Sequence, residues 1–274
     1  MKHLFSREGQ QAIDTVMTGR PLLAFDFDGT LAPIVARPDD AQVPLSLRLR
    51  LSQLAETLPT AVVTGRSVAD VRHRLGFAPH CIIGNHGAEP PEDWLVDHAC
   101  ASWHASLDAA RALLREHQSA LDHAGVQLED KGQSLALHHR LAPDQAGALS
   151  LIQALTLALP DDLRTFGGKC VVNIVSATAP DKGDAVNHLA QLLGCQQGVF
   201  IGDDVNDEPV FQKVPASWLT VRIGRDDAMS SARFFLDSHV EMAPMLQELL
   251  SALSRHRSAR HEPAAPPPAD PGQG

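Results

Sequence analysis

The 274-residue chain is predicted to fold as an α/β protein, a parallel sheet flanked by helices, interrupted by a smaller α+β module. Three observations predict this. Short apolar runs alternate with amphipathic segments up to Gly84, the rhythm changes to αββαββ between about 97 and 178, and strand–helix alternation resumes after Pro180. Strands separated by helices form right-handed βαβ units, whose ligand sites lie at the carboxyl ends of the strands.

In chain order, a helix is predicted near Arg7–Met17, followed by the apolar run Leu22–Phe27, which starts at Pro21 and ends at Asp28-Gly29. Such a continuous run reads as a strand buried on both faces. A helix near Leu45–Leu58, a strand Thr60–Thr64, a helix opened by Ser67 with Asp70 three residues on in a capping-box-like start, and a strand Cys81–Gly84 complete the first half. The inserted module reads as one long helix from about Asp97 to Ala120, strands Val126–Glu129 and Ser134–His139, a helix Asp144–Leu157, and strands Leu163–Phe166 and Cys170–Val175. The remainder reads as a helix Lys182–Leu193, a strand Val199–Gly202, an acidic loop Asp203–Glu208, a strand Trp218–Ile223 and a helix Glu241–Leu253. The expected domains are therefore a core of 1–96 and 179–254 and a cap of 97–178. Arg255 to Gly274, rich in Pro and Ala, has little to bury and is expected to be disordered.

Composition excludes several function classes. A net charge of −10 argues against nucleic acid or an anionic membrane as partner, since both demand clustered Lys and Arg. The four cysteines, at 81, 100, 170 and 195, form no CxxC pair, so neither a zinc knuckle nor a disulfide framework is expected, and a reducing cytoplasm fits. The first eleven residues carry no apolar signal core, and the longest apolar-rich run, Leu149–Leu159, is broken by Gln153. A monomer acting on a small molecule is expected.

The polar residues after each strand carry the chemistry. Asp26 and Asp28 sit two apart at the end of the first apolar run, before Gly29 and Thr30. Carboxylates so close are costly unless a cation neutralises them, and a ligand set of oxygens alone favours Mg²⁺ over zinc. Thr64-Gly65-Arg66-Ser67 ends another strand at a helix start, where free backbone N–H groups can receive a phosphate, although the same pattern alone reads equally as a simple helix start. Lys182 lies in the first turn of a helix, where the dipole disfavours a cation unless an anion is near. Gly202-Asp203-Asp204-Val205-Asn206-Asp207-Glu208 places four acidic groups in six residues directly after a strand.

These four segments, in this order, resemble the motifs of the haloacid dehalogenase (HAD) superfamily of aspartate-nucleophile phosphotransferases, over roughly residues 20–250. The resemblance implies a Rossmann-like core and an α+β cap. It implies that Asp26 attacks phosphorus, that Asp28 protonates the leaving oxygen and then activates water, and that Thr64 and Lys182 hold phosphate oxygens. It further implies Mg²⁺ bound by Asp26, Asp203 and the backbone carbonyl of Asp28, with Asp204 and Asp207 behind them.

Asn85-His86-Gly87-Ala88-Glu89, Glu129-Asp130-Lys131 with Ser134 to Arg140, and Gly168-Lys169-Cys170-Val171-Val172 are similar to segments of trehalose-6-phosphate phosphatases. That similarity implies hydrolysis of trehalose 6-phosphate in trehalose biosynthesis. It assigns sugar or phosphate contacts to Gly65, Arg66, Asn85, Glu129, Lys131, Arg140, Lys169 and Asn173. The chain differs from that family at Asn173, usually glutamate, and at His139, usually tyrosine. Competing readings are a phosphatase for sucrose 6-phosphate or a hexose phosphate, a phosphomutase, and a non-catalytic sugar-phosphate sensor.

Overall fold

In a computed structural model, residues 1–91, 99–225 and 229–261 are described. Two sheets are present. The first is a seven-stranded, all-parallel sheet built from β1 (Lys2–His3), β2 (Leu22–Phe25), β3 (Thr60–Val63), β4 (Cys81–Ile83), β9 (Gly198–Gly202), β10 (Leu219–Ile223) and β11 (Phe234–Leu236). Its order is β1-β11-β10-β9-β2-β3-β4, which puts β2 at the centre between β9 and β3. The second is a four-stranded antiparallel sheet, β5-β6-β8-β7, of β5 (Gln127–Asp130), β6 (Leu135–His138), β7 (Leu163–Gly168) and β8 (Val171–Ser176).

Helices cover both faces of the parallel sheet. Leu23 and Phe25 of β2 pack in the cluster that contains α1 (Arg7–Met17), α2 (Leu45–Ala55) and α9 (Met242–His261), whereas Leu22 and Ala24 pack in the cluster that contains α7 (Lys182–Leu192) and α8 (Glu208–Lys213). Because side chains alternate along a strand, Phe27 follows Leu23 and Phe25 onto the first face, and Asp26 follows Leu22 and Ala24 onto the face of α7. This parity aims Asp26 at the first turn of α7.

The antiparallel sheet has its own core, in which Leu135 and Leu137 of β6 and Ile174 of β8 pack under α4 (Ala99–Glu116), α5 (Gln118–His123) and α6 (Gln145–Thr156). The same alternation leaves Ala136 and Asn173, paired across β6 and β8, on the opposite face. No described helix is long and apolar enough to cross a membrane.

Four expectations need correction. The single helix to Ala120 breaks at His117 (φ −102°), whose ring Nδ1 lies 2.9 Å from the Leu113 carbonyl, the acceptor its own N–H reaches only at 3.3 Å. The side chain thus competes with the helical ladder. The acidic loop is in fact a 3₁₀ turn, Val205–Asp207, running into α8 with Pro209 in its first turn. Strands β1 and β11, of two and three residues, were not foreseen, being too short to show a period. Finally, Arg255–His261 continue α9 instead of leaving it, with Arg255 Nη2 2.6 Å from Asp14 on α1. The rest of the expected tail, 262–274, and the expected boundary at 97 lie outside the described residues.

Candidate active site

β2 ends in a tight turn, with the Gly29 N–H bonded to the Ala32 carbonyl (2.7 Å) and Leu31 and Ala32 bonded to that of Phe27. Gly29 has φ +81°, and a Cβ there would lie 1.9 Å from Asp203 Oδ2. Only glycine lets the neighbouring strand's aspartate come so near.

Asp26 meets a fully buried lysine. Lys182 Nζ lies 2.7 Å from Asp26 Oδ1 and 2.7 Å from Asp207 Oδ1, with Lys182 1% and Asp207 0% exposed. Asp181 caps α7 through a reciprocal capping box with Asp184, which sets the first turn so that Lys182 points inward. Burial by itself would strip the proton from Lys182, but Asp207 and Asp26 hold its affinity above that of a free lysine. Burial raises the Asp26 carboxyl well above the ordinary range; Lys182 opposes this, and repulsion from Asp207 and Asp203 adds to it.

Asp207 is occupied on both oxygens, Oδ1 by Lys182 and Oδ2 by the backbone N–H groups of Asp203 (2.9 Å) and Asp204 (3.1 Å). It folds the loop after β9 back on itself and thereby holds Asp203 in place. Asp203 is 4% exposed; its Oδ2 accepts from Lys169 Nζ at 2.5 Å, while its Oδ1 is buried without a hydrogen-bond partner. Burial first, then repulsion from Asp207, pushes its carboxyl up to about 6 despite Lys169. Carboxylate oxygens of Asp26, Asp203 and Asp207 lie within 4.8 Å of one another. A buried orphan oxygen in an all-carboxylate cluster that two ammonium groups leave under-neutralised fits a hard divalent cation.

On the other side, Asp28 is gripped by Arg66. Nε and Nη2 of Arg66 lie 2.8 Å from Asp28 Oδ2 and Oδ1, a bidentate pair, and the guanidinium lies over the Phe27 ring at 5.3 Å. Burial would lower the proton affinity of Arg66, but Asp28 and Asp70 raise it further.

A cavity of about 770 Å³ runs from this cluster to the antiparallel sheet. Of the residues singled out in the sequence, Asp26, Asp28, Gly65, Arg66, Lys182 and Asp203 line it from the parallel-sheet side, and Glu129, Lys131, Arg140, Lys169 and Asn173 from the other. Lys131 Nζ donates to the Gly65 carbonyl (3.0 Å) and burial depresses its proton affinity. Glu129 pairs with His138 (2.8 Å), which lowers its carboxyl. Arg140 donates to the Lys169 carbonyl (3.2 Å). Asn173 is 2% exposed, and His139 is buried and donates its backbone N–H to the Cys170 carbonyl (3.0 Å). Cys170 takes φ +62° at the two-residue connection between β7 and β8. This uncommon conformation for a side-chain-bearing residue turns the strand at Lys169.

Two expected site residues are not brought to the cavity. Thr64 is fully buried and its hydroxyl accepts the Arg66 N–H (3.1 Å), closing the turn after β3. Asn85, at φ +49°, spends its amide on Glu89 Oε2 (2.6 Å) and the Lys131 carbonyl (3.3 Å), and its oxygen accepts from Ser134 (2.6 Å). In this arrangement Asn85 fastens the two sheets together. The cavity wall also includes His86 and Asp70, which the sequence does not single out as site residues. His86, at φ +59°, stacks edge-on against Phe166 of β7 (4.8 Å), and burial, followed by the charge of Lys182, drives its proton affinity well down. In the sequence Asp70 reads as a capping residue, although its i, i+4 spacing from both Arg66 and Arg74 also signals an ion pair with each.

The family described as Trehalose-phosphatase matches residues 24–239. A trehalose-phosphate phosphatase of Mycobacterium marinum is 30% identical over 253 residues, covering 88% of this chain and 64% of that protein, so the chain spans less than two thirds of this relative. A probable trehalose-phosphate phosphatase of Sinorhizobium fredii is 35% identical over 243 residues, covering 85% of this chain and 87% of that protein. Among solved structures, the C-terminal domain of a C. albicans trehalose-6-phosphate phosphatase superposes with a TM-score of 0.76 at 18% identity, covering 92% of this chain and 98% of that one. A Synechocystis sucrose-phosphatase superposes at 0.53 and 17% identity, covering 87% and 98%. At these identities the structural likenesses speak to the fold.

Proposed function

The chain belongs to the trehalose-phosphatase family, and on that footing we propose that it hydrolyses trehalose 6-phosphate to trehalose and inorganic phosphate. One observation carries the reading. A single cavity joins the buried Asp26–Lys182–Asp203 cluster, suited to a phosphate, to a wall of alternating donors and acceptors, Glu129, Lys131 and Arg140, suited to sugar hydroxyls.

In the first step a carboxylate oxygen of Asp26 bonds to phosphorus, the bond from phosphorus to the sugar oxygen breaks, and Asp28 delivers a proton to that oxygen. In the second, Asp28 takes a proton from water as the water oxygen bonds to phosphorus, the acyl-phosphate bond breaks, and Asp26 is regenerated. Lys182 fixes the rotation of the Asp26 carboxylate through Oδ1 and brings positive charge to the phosphate. Arg66 engages both carboxyl oxygens of Asp28, so Asp28 must part from the guanidinium before it can act as the acid. Mg²⁺ held by Asp26, Asp203 and the Asp28 carbonyl would supply the charge that lets a phosphate dianion approach three carboxylates.

The test is phosphate release from trehalose 6-phosphate, sucrose 6-phosphate and glucose 6-phosphate, with Mg²⁺ and with a chelator. Trehalose 6-phosphate should have the highest kcat/KM, and chelation should abolish release. Preference for sucrose 6-phosphate would favour the second reading, which the asparagine at 173 keeps in view, and equal rates in the chelator would overturn the metal assignment.

A further inference from the structure

Asp70 lies on α3 (Val68–Leu75), three residues after its N-cap Ser67, and its backbone N–H donates to the Ser67 hydroxyl (3.2 Å). A capping box would send the Asp70 carboxylate back to the Ser67 N–H. Instead it lies between two arginines. Its Oδ2 accepts from Arg66 Nη1 (2.7 Å), and its Oδ1 accepts from Arg74 Nε (2.9 Å) and Nη2 (2.6 Å). Arg74 in turn donates to the Asp39 carbonyl (2.5 Å), and Arg66 to that of Pro38 (2.9 Å). The side chains thus alternate in sign, Arg74–Asp70–Arg66–Asp28, with both arginines more than four fifths buried.

A guanidinium is a rigid fork, and its orientation is set once both ends are held. Arg66 presents one edge to Asp28 and its remaining nitrogen to Asp70, while its face lies on Phe27, so the carboxylate at 70 fixes the plane in which Arg66 meets Asp28. Resting on the assignment of Asp28 as acid and base, we propose that Asp70 is a positioning residue for catalysis, anchoring Arg66 so that Asp28 is presented to the phosphate in register. The anchor also keeps Arg66 on the cavity wall when Asp28 releases it. A small misplacement of a reacting group is enough to lower a rate by one to two orders of magnitude.

The experiment compares wild type, Asp70→Asn, Arg66→Ala and the double variant on trehalose 6-phosphate and on p-nitrophenyl phosphate, with folding followed by urea midpoint. Asp70→Asn should lower kcat about tenfold on both substrates, since its effect passes through groups that act at the phosphate. The double variant should be no slower than Arg66→Ala alone, because both substitutions break one chain. Asp70→Glu, which keeps the charge, should recover most of the rate, and Asp70→Ser, which removes it with a smaller side chain, stands in for the asparagine variant if that one does not fold. Multiplicative losses in the double variant, an unchanged kcat, or a rise confined to KM for trehalose 6-phosphate would each overturn the proposal. The reading of the protein as a phosphatase fails separately, by wild-type inactivity on both substrates.

Discussion

Asp203→Asn should stabilise the metal-free protein even as it removes a carboxylate from the proposed cation site. The Asp203 carboxyl is buried beside Asp207 and titrates at about 6, against 3.8 when free. That gap, at about 1.36 kcal/mol per pH unit, amounts to about 3 kcal/mol, already net of the attraction from Lys169. The folded state holds this proton more tightly than the unfolded state does. The group's contribution to stability is therefore fully present below pH 3.8 and is lost as pH rises through about 6. An asparagine carries no such penalty at any pH. In urea unfolding with a chelator present, the variant should exceed wild type by about 3 kcal/mol at pH 8 and by about half of that at pH 5. Mg²⁺ should then raise the wild-type midpoint and leave that of the variant unmoved, since only the wild type gains a bound ligand. A variant less stable than wild type at pH 8 in the chelator, or a gain that does not change with pH, would refute the account of Asp203 as an under-neutralised buried carboxylate.

Three further outcomes test the rest of the site. Asp26→Asn should fold and lose essentially all turnover, because an amide cannot form the acyl phosphate; a tenth of the wild-type rate would sink the nucleophile assignment. Lys182→Met leaves Asp26 and Asp207 buried without their shared counter-ion, so it should cost about 3–5 kcal/mol by urea denaturation of the metal-free protein, and a loss below about 1 kcal/mol would show that the triad is not the buried ion pair described. Lys131→Ala removes both a cavity cation and the 3.0 Å bond to the Gly65 carbonyl, and should lower kcat/KM for trehalose 6-phosphate far more than for p-nitrophenyl phosphate; equal losses would deny the antiparallel sheet its part in sugar binding.

Most of the strand–helix order, the αββαββ insertion and the polar residues that follow the strands are legible in the amino-acid sequence. Each is recorded in the local period of burial: β2 is apolar at every position because helices cover both its faces, and its parity alone sends Asp26 and Phe27 to opposite sides. Tertiary structure decided which of these ends meet. Lys182 reaches Asp26 across 156 positions because β2 lies beside β9 and under α7, and neither neighbour is written in the pattern of β2 itself. The ribbons β1 and β11 exist only by pairing at the edge beyond β10. Thr64 and Asn85 were placed by motif but turned inward by hydrogen bonds to Arg66, Glu89 and Ser134, since a buried polar group must find a partner wherever the packing puts one. Asp70 could cap its own helix or bridge two arginines, and its spacing permits both. Arg66 chose between them, because only folding brings its guanidinium against Asp28 and leaves a single nitrogen for Asp70 to hold.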